Sequence, residues 1–293
     1  MNKKILFSPA GWEPRYEAGV YIDLEEFAPS EIIVPFSSGY HSRTTDIRGR
    51  IRDKATSAGI LYREMALDYT DPVSLYKELL AIFANNVPAD SVLRFNCSTT
   101  PRDFIWYVLH FLSERKITTQ FSYFRPLEYG EYLSRDARAP RFVLKRSGIA
   151  YPELPMCILV LAGFDEERLS QLKQRYEPKT MLIGHQTGSQ LGNKVRNSLL
   201  ECENVEGEIH FDFDCYDLTE DSLKILIQQV DKLSESHNVV AASLGPKPGA
   251  LTLFKLTQIR PQIGLVYISA NDYSENYSSG INLESRTLNE MVW

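Results

Sequence analysis

Short apolar runs alternate along this chain with stretches in which apolar residues recur at helical spacing. In its first part the runs are "ILFSP", "EIIVPF", "LYREMAL", "VLRFN" and "TTQFSYF". Brief runs of this kind, flanked by turn residues, suit strands buried on both faces. Between them lie "EPRYEAGVYIDLEEF", a poor helix candidate, then "TDIRGRIRDKATSA", "DPVSLYKELLAIFANN" and "PRDFIWYVLHFLSER". The third of these has the clearest start, with Asp71 before Pro72. Its Val73, Tyr76, Leu80 and Phe83 fall on one predicted apolar stripe. Strand and helix alternating in this way predict a parallel sheet with helices on both faces.

The pattern occurs twice. "ILFSPAGWEPR" and "CILVLAGFDEER" are both apolar runs ending in Ala-Gly, an aromatic, an acid and Arg, with Gly11 and Gly163 152 residues apart. "FAPSEIIVPFSSG" pairs with "YEPKTMLIGHQTG" at an offset of 149, and "DYTDPVSL" pairs with "DLTEDSL" close to it. "SVLRFNCSTTPRDFIWYVLHFL" pairs with "NVVAASLGPKPGALTLFKL", Pro101 and Pro248 lying 147 apart. Finally Tyr123, Tyr129, Glu131 and Ser134 match Tyr267, Tyr273, Glu275 and Ser278 at a constant 144. Buried strands and turns resemble one another everywhere, which accounts for single matches but not for an ordered series in nearly constant register. The expected fold is therefore α/β: two Rossmann-like, doubly wound parallel-sheet units related by internal duplication. They are expected at 1–140 and 156–293, and 141–155, with its strand-like "RFVLK", is a linker or an exchanged strand.

Composition narrows the function. The 293 residues are 43% hydrophobic and 24% charged, the balance of a soluble globular chain. No apolar run is long enough to cross a bilayer, and the apolar part of "MNKKILFSPAGW" is too short for a secretory signal, so the cytoplasm is expected, with no membrane partner. Thirty-two basic against 38 acidic residues give a net charge of −6, which argues against coating of bulk nucleic acid but leaves room for a small anion in a local positive pocket. The four cysteines form no C-x-x-C pair and no H-E-x-x-H is present, so no metal site and no cofactor are expected.

In open parallel sheets ligands sit outside the carboxyl ends of the strands, where loops enter helices and helix N-termini favour anions. One such seam holds Asn96, Ser98, Thr99 and Thr100 with Arg102 in the first helical turn; these could hold phosphate or ribose, or Ser98 to Thr100 could simply cap a helix. Its counterpart "SLGPKPGAL" replaces Asn96 by Ser243, Ser98 by Gly245 and Arg102 by Gly249, but keeps Lys247 in the loop. Gly245 would let a ligand approach the backbone; the alternative is a rigid turn with Lys247 in solvent. A second seam follows the first strand of each half: Gly11, Trp12 and Arg15, against Gly163 and Arg168. Here Trp12 could stack on a base and the arginines meet phosphate, or the aromatics pack internally while Glu13 and Asp165 pair with the arginines. A third follows the second strand, with Arg43, Arg48, Arg50 and Arg52 in one half and Gln186, Thr187, Gln190 and Asn193 in the other. It forms one wall of an anionic pocket or a solvated basic helix face.

The residues "NCSTTPR" supply Asn or Asp, any residue, Ser or Thr, three of any, then a base, after a late strand. In this, and in its setting inside a duplicated Rossmann-like chain, the sequence resembles CARF domains, the CRISPR-associated Rossmann-fold sensors. The resemblance implies a composite pocket for a cyclic oligonucleotide or similar anionic nucleotide ligand, and regulation of a separate effector protein in prokaryotic antiviral defence. Two alternatives stay open. One is a metal-independent enzyme that cleaves its own ligand, with Lys247, Arg102 and Ser98 as candidates; the other is a non-catalytic scaffold subunit of a defence complex. No G-x-G-x-x-G, Walker loop or nucleophile elbow is present, so hydride transfer and ATP hydrolysis rank low.

Overall fold

The computed structural model describes residues 2–163, 165–187, 206–291 and 293. The chain forms two compact units, Met1–Leu133 with Tyr273–Trp293, and Ser134–Asp272.

The first unit runs β1 (Lys4–Phe7), α1 (Pro14–Phe27), β2 (Glu31–Ser37), α2 (His41–Ser57), β3 (Leu61–Leu67), α3 (Pro72–Asn86), β4 (Val92–Asn96), α4 (Arg102–Glu114), β5 (Thr119–Arg125) and β6 (Glu128–Tyr129). Five strands pair in the parallel order β3-β2-β1-β4-β5. Successive side chains of β1 serve opposite faces. Leu6 joins Ile32 and Val34 against Tyr16, Val20 and Leu24 of α1 and Ile51 of α2. Phe7 instead meets Phe83 of α3 and Phe104 of α4. The sheet is thus wound on both sides, as the alternation predicts.

Two helices differ from their sequence reading. The weak candidate at "EPRYEAGVYIDLEEF" is a 14-residue helix, opened by Pro14 and ended by Ala28 in the left-handed region (φ 47°). Burial of Tyr16, Val20, Leu24 and Phe27 along one stripe outweighs its indifferent propensities. α3 is rotated from expectation. Asp71 caps it as predicted, accepting from the Val73 amide. However, its buried stripe is Leu75, Leu79, Ile82 and Phe83, while Val73 and Leu80 are 48% and 49% exposed. Both stripes have helical spacing, and the one with more branched aliphatic surface is buried.

The second unit runs β7 (Ser134–Ala137), β8 (Arg141–Phe142), β9 (Met156–Leu161), α5 (Glu166–Tyr176), β10 (Thr180–Gln186), β11 (Glu208–Phe213), α6 (Glu220–Asp231), β12 (Asn238–Ser243), α7 (Pro248–Ile259), β13 (Gly264–Tyr267) and β14 (Ala270–Tyr273). Its parallel order, β11-β10-β9-β12-β13, repeats that of the first unit strand for strand. Leu169 and Leu172 of α5 cover Ile158, Val160, Met181 and Ile183 on one face.

Each sheet has a sixth, antiparallel edge strand, and each comes from beyond the expected boundary. The short β8 lies beside β13, inside the stretch expected to link or exchange. The tail supplies β15 (Ser278–Ser279), paired with β6, and β16 (Asn282–Met291), paired with β5 of the first sheet. The observed units therefore differ from 1–140 and 156–293: hydrogen bonding to β5 carries residues 273–293 into the first unit, and pairing of β7 with β14 and β8 with β13 starts the second at Ser134. No helix among the described residues is long and apolar enough to cross a membrane.

Candidate functional site

In the first unit β1 and β4 are neighbours, and the chain leaves them in opposite directions, toward β2 and toward β5. Their carboxyl ends mark the topological switch point, where a crevice is expected. The loops after β1 and β4 meet there. A Cβ on Gly11 would lie 2.4 Å from the Thr99 Oγ1, so glycine is what lets Thr99 stand against the first loop.

Asn96 and Ser98 turn out to fasten the fold. Asn96 donates to the Asp23 carboxylate at 2.8 Å and accepts from both the amide (3.1 Å) and the hydroxyl (2.7 Å) of Ser98. The Ser98 Oγ accepts from the Phe124 amide at 2.9 Å. Asp23 also receives the Ser122 hydroxyl at 2.6 Å and the Arg94 guanidinium at 3.3 Å. One carboxylate on α1 thereby ties β4 to β5. Burial pushes the Asp23 carboxyl up to about 6, against the opposing pull of Ser122, Arg94 and Asn96.

The next two hydroxyls are differently placed. Oγ1 of Thr99 and Oγ1 of Thr100 are buried without a hydrogen-bond partner among the described residues, as are Ser8 Oγ at the end of β1 and the Tyr69 hydroxyl after β3. Tyr69 packs its ring on Phe104 in the first turn of α4 (5.1 Å between centroids), and the Tyr16 hydroxyl donates to the Ser8 carbonyl at 3.1 Å. Burial, then the nearby Tyr16 and Asp103, hold the Tyr69 hydroxyl well above its ordinary pKa, so it is a neutral donor and acceptor. A buried hydroxyl without a partner costs roughly 1–3 kcal/mol. Three of them, on Ser8, Thr99 and Thr100, follow β1 and β4 at the switch point, and Tyr69 follows β3 with its ring on Phe104. Arg102 is half-buried at the first position of α4, beside them in sequence.

The other candidates of the first unit are engaged. Arg15 is buried, bonded to Glu13 at 2.9 Å, the Phe124 carbonyl at 2.9 Å and the Tyr123 hydroxyl at 3.3 Å; Ser278 donates to the same Glu13 carboxylate. Trp12 donates its indole N–H to the Ser274 carbonyl at 3.0 Å and packs on Tyr40. Arg43 lies 5.2 Å from both ring centres, donates to the Tyr273 carbonyl at 2.8 Å and reaches Glu275 at 3.5 Å. The basic cluster is largely paired too: Arg48 with Glu64 at 3.0 Å and Arg50 with Glu17 at 2.7 Å.

In the second unit the matching seam is closed by backbone. A Cβ on Gly163 would lie 2.2 Å from the Leu244 carbonyl, and one on Gly245 2.5 Å from that of Ala162. The close approach that Gly245 permits is thus to the neighbouring loop. Lys247 is buried at the start of α7. Arg168 pairs with Asp165 and donates to Ser134 Oγ at 2.9 Å, repeating the acid, arginine and serine set of Glu13, Arg15 and Ser278. Gln186 donates to Asp214 at 2.5 Å and accepts from the Cys215 amide at 2.8 Å; Thr187 is exposed. Gln190 and Asn193 lie outside the described residues.

Sequence reasoning missed Ser8, Tyr69 and Asp23. Asp23 left a signal: it falls on the apolar stripe of α1 between Val20 and Leu24, where an acid needs buried partners. Ser8 and Tyr69 left none.

No protein-family model matches the chain, and no curated protein does. Among solved structures, a universal stress protein from Archaeoglobus fulgidus aligns over 93% of this chain and 97% of its own, at 12% identity and a TM-score of 0.27. So loose a likeness carries no argument; the fold class rests on the strand order.

Proposed function

We propose that the chain is a CARF-like regulatory protein that binds a nucleotide-class ligand at the switch point of its first unit. The observation that carries this is a set of buried hydroxyls without partners among the described residues: Ser8, Thr99 and Thr100 after β1 and β4, and Tyr69 after β3, its ring against the first turn of α4. Hydroxyls that both donate and accept suit ribose and base edges, and Arg102 at the start of α4 adds a positive charge for phosphate. The duplicated strand order agrees with the sensor resemblance, and effector control in prokaryotic antiviral defence rests on that resemblance alone. Asn96 and Ser98, fixed residues of the motif, act in this reading by shaping the loop.

The test uses the full chain with a panel of cyclic oligoadenylates and mononucleotides, reading melting temperature and, by chromatography, products. A rise in melting temperature without product supports the regulator, whereas product favours the ligand-cleaving alternative. No shift across the panel overturns the proposal. Thr100→Val keeps the shape and removes one unpartnered hydroxyl, so it should leave the free protein as stable or more so while weakening ligand about tenfold.

A further inference from the structure

A feature of the second unit plays no part in the proposed site. His185 on β10 and His210 on β11 place Nε2 and Nδ1 2.7 Å apart. Their planes differ by 11° and their centroids lie 5.0 Å apart. That separation nearly equals the nitrogen contact plus the two ring radii, so the imidazoles meet edge to edge in one plane, the geometry of an N–H···N bond. We propose that this pair is a proton-operated clasp, fastening the edge strand β11 to β10 and releasing it on acidification.

The proton positions follow from the partners. Nε2 of His210 lies 3.3 Å from the Glu208 carboxylate, which is also paired with Lys173 of α5. That contact lacks hydrogen-bond geometry, but a carboxylate 3.3 Å away favours the N–H on this nitrogen; His210 then offers a lone pair on Nδ1, which accepts the Nε2–H of His185. Nδ1 of His185 is then a buried acceptor without a partner. One added proton fits on that nitrogen with the bond intact. A second can reach only the lone pair inside the bond, so it breaks the bond and sets two cations side by side. Among the described residues the charged groups facing the pair are Glu208 and Asp212 on β11 and Lys173 on α5; Asp212 stands opposite His185 in the strand register. Burial, then His210, hold the His185 imidazole below its ordinary value, against Asp212 and Glu208. The unfolded chain takes up the His185 proton more readily, so the stabilisation is present above the ordinary histidine value and is lost as pH falls below it.

Among the described residues β11 pairs with β10 alone, through the register from Glu208 to Phe213, and its ends are also held by Lys173 on Glu208 and Gln186 on Asp214. The histidine pair lies between those ends, beside Ile209, which is 43% exposed, and adds a pH-dependent part to the hold.

The full chain, labelled with nitrogen-15, tests this by imidazole and amide spectra from neutral to acid pH. One shared, far-downfield N–H proton is expected at neutral pH. The second proton should enter at least tenfold less readily than the first, with β11 amides exchanging about tenfold faster as the shared resonance disappears. His185→Gln and His210→Gln should bring neutral-pH exchange of β11 to the acid level and flatten its pH dependence. Two independent titrations near the ordinary value, or β11 exchange indifferent to the titration, would overturn the proposal without any variant having to fold.

Discussion

Asp23 is a carboxyl on the wrong face of an amphipathic helix, and its position has a measurable consequence. Burial raises its folded value to about 6 from an ordinary 3.8, so the folded state holds this proton more tightly than the unfolded chain does. The resulting stabilisation is complete in acid and is lost as pH rises through the folded value. In denaturant titrations the stability difference between wild type and Asp23→Asn should therefore shrink by about 1 kcal/mol from pH 5 to pH 7. A difference constant with pH would show that this carboxyl titrates normally. The same residue shows what the sequence could and could not disclose about the site. The "NCSTTPR" stretch was visibly a strand-to-helix seam, and Gly11 and Gly163 were visible as matched glycines at the ends of the first strands. That Asn96 and Ser98 would be bonded to Asp23 and Phe124 depends on residues 73 and 26 positions away. No local pattern records which hydroxyls such partners leave over.

At the scale of elements the alternating runs gave strand and helix correctly, because strands buried on both faces and helices buried on one leave distinct periods. Rotation of α3 was not legible, since Val73 and Leu80, seven apart, and Leu75 and Leu79, four apart, both have helical spacing, and Tyr76 and Phe83 of the expected stripe do meet α4. The seams of the two units differ in a way that sequence only half showed. In the second unit, glycine faces backbone on both sides, and backbone cannot rotate aside. Gly163→Ala should lower stability by roughly 2–3 kcal/mol, the upper range for forced overpacking. Gly11→Ala would set its Cβ 2.5 Å from the Thr99 Cβ, which side-chain rotation does not move, and should cost a comparable roughly 2–3 kcal/mol in thermal or denaturant unfolding. A loss below about 1 kcal/mol at either glycine would show that its seam yields by a backbone shift.

At the scale of the molecule the repeat was readable as an ordered set of offsets, and the identical strand orders bear it out. The exchange of edges was not, because "RFVLK" and the tail are short strands whose partners lie far along the chain. It predicts an asymmetry between fragments. Residues 134–272 are one continuous unit and should unfold cooperatively when produced alone. Residues 1–133 lack β15 and β16, expose the edge of β5, and should fold only when a peptide of residues 273–293 is added. Circular dichroism melts of the three samples decide this, and a cooperative melt of 1–133 by itself would refute it.

The crossing of β16 also bears on biosynthesis. A ribosome delivers the whole of residues 134–272 before it delivers the strand that borders β5. Half of this chain, though translated first, must wait with an open flank until residues 282–291 emerge behind the later half, which has every strand it needs before the earlier one does.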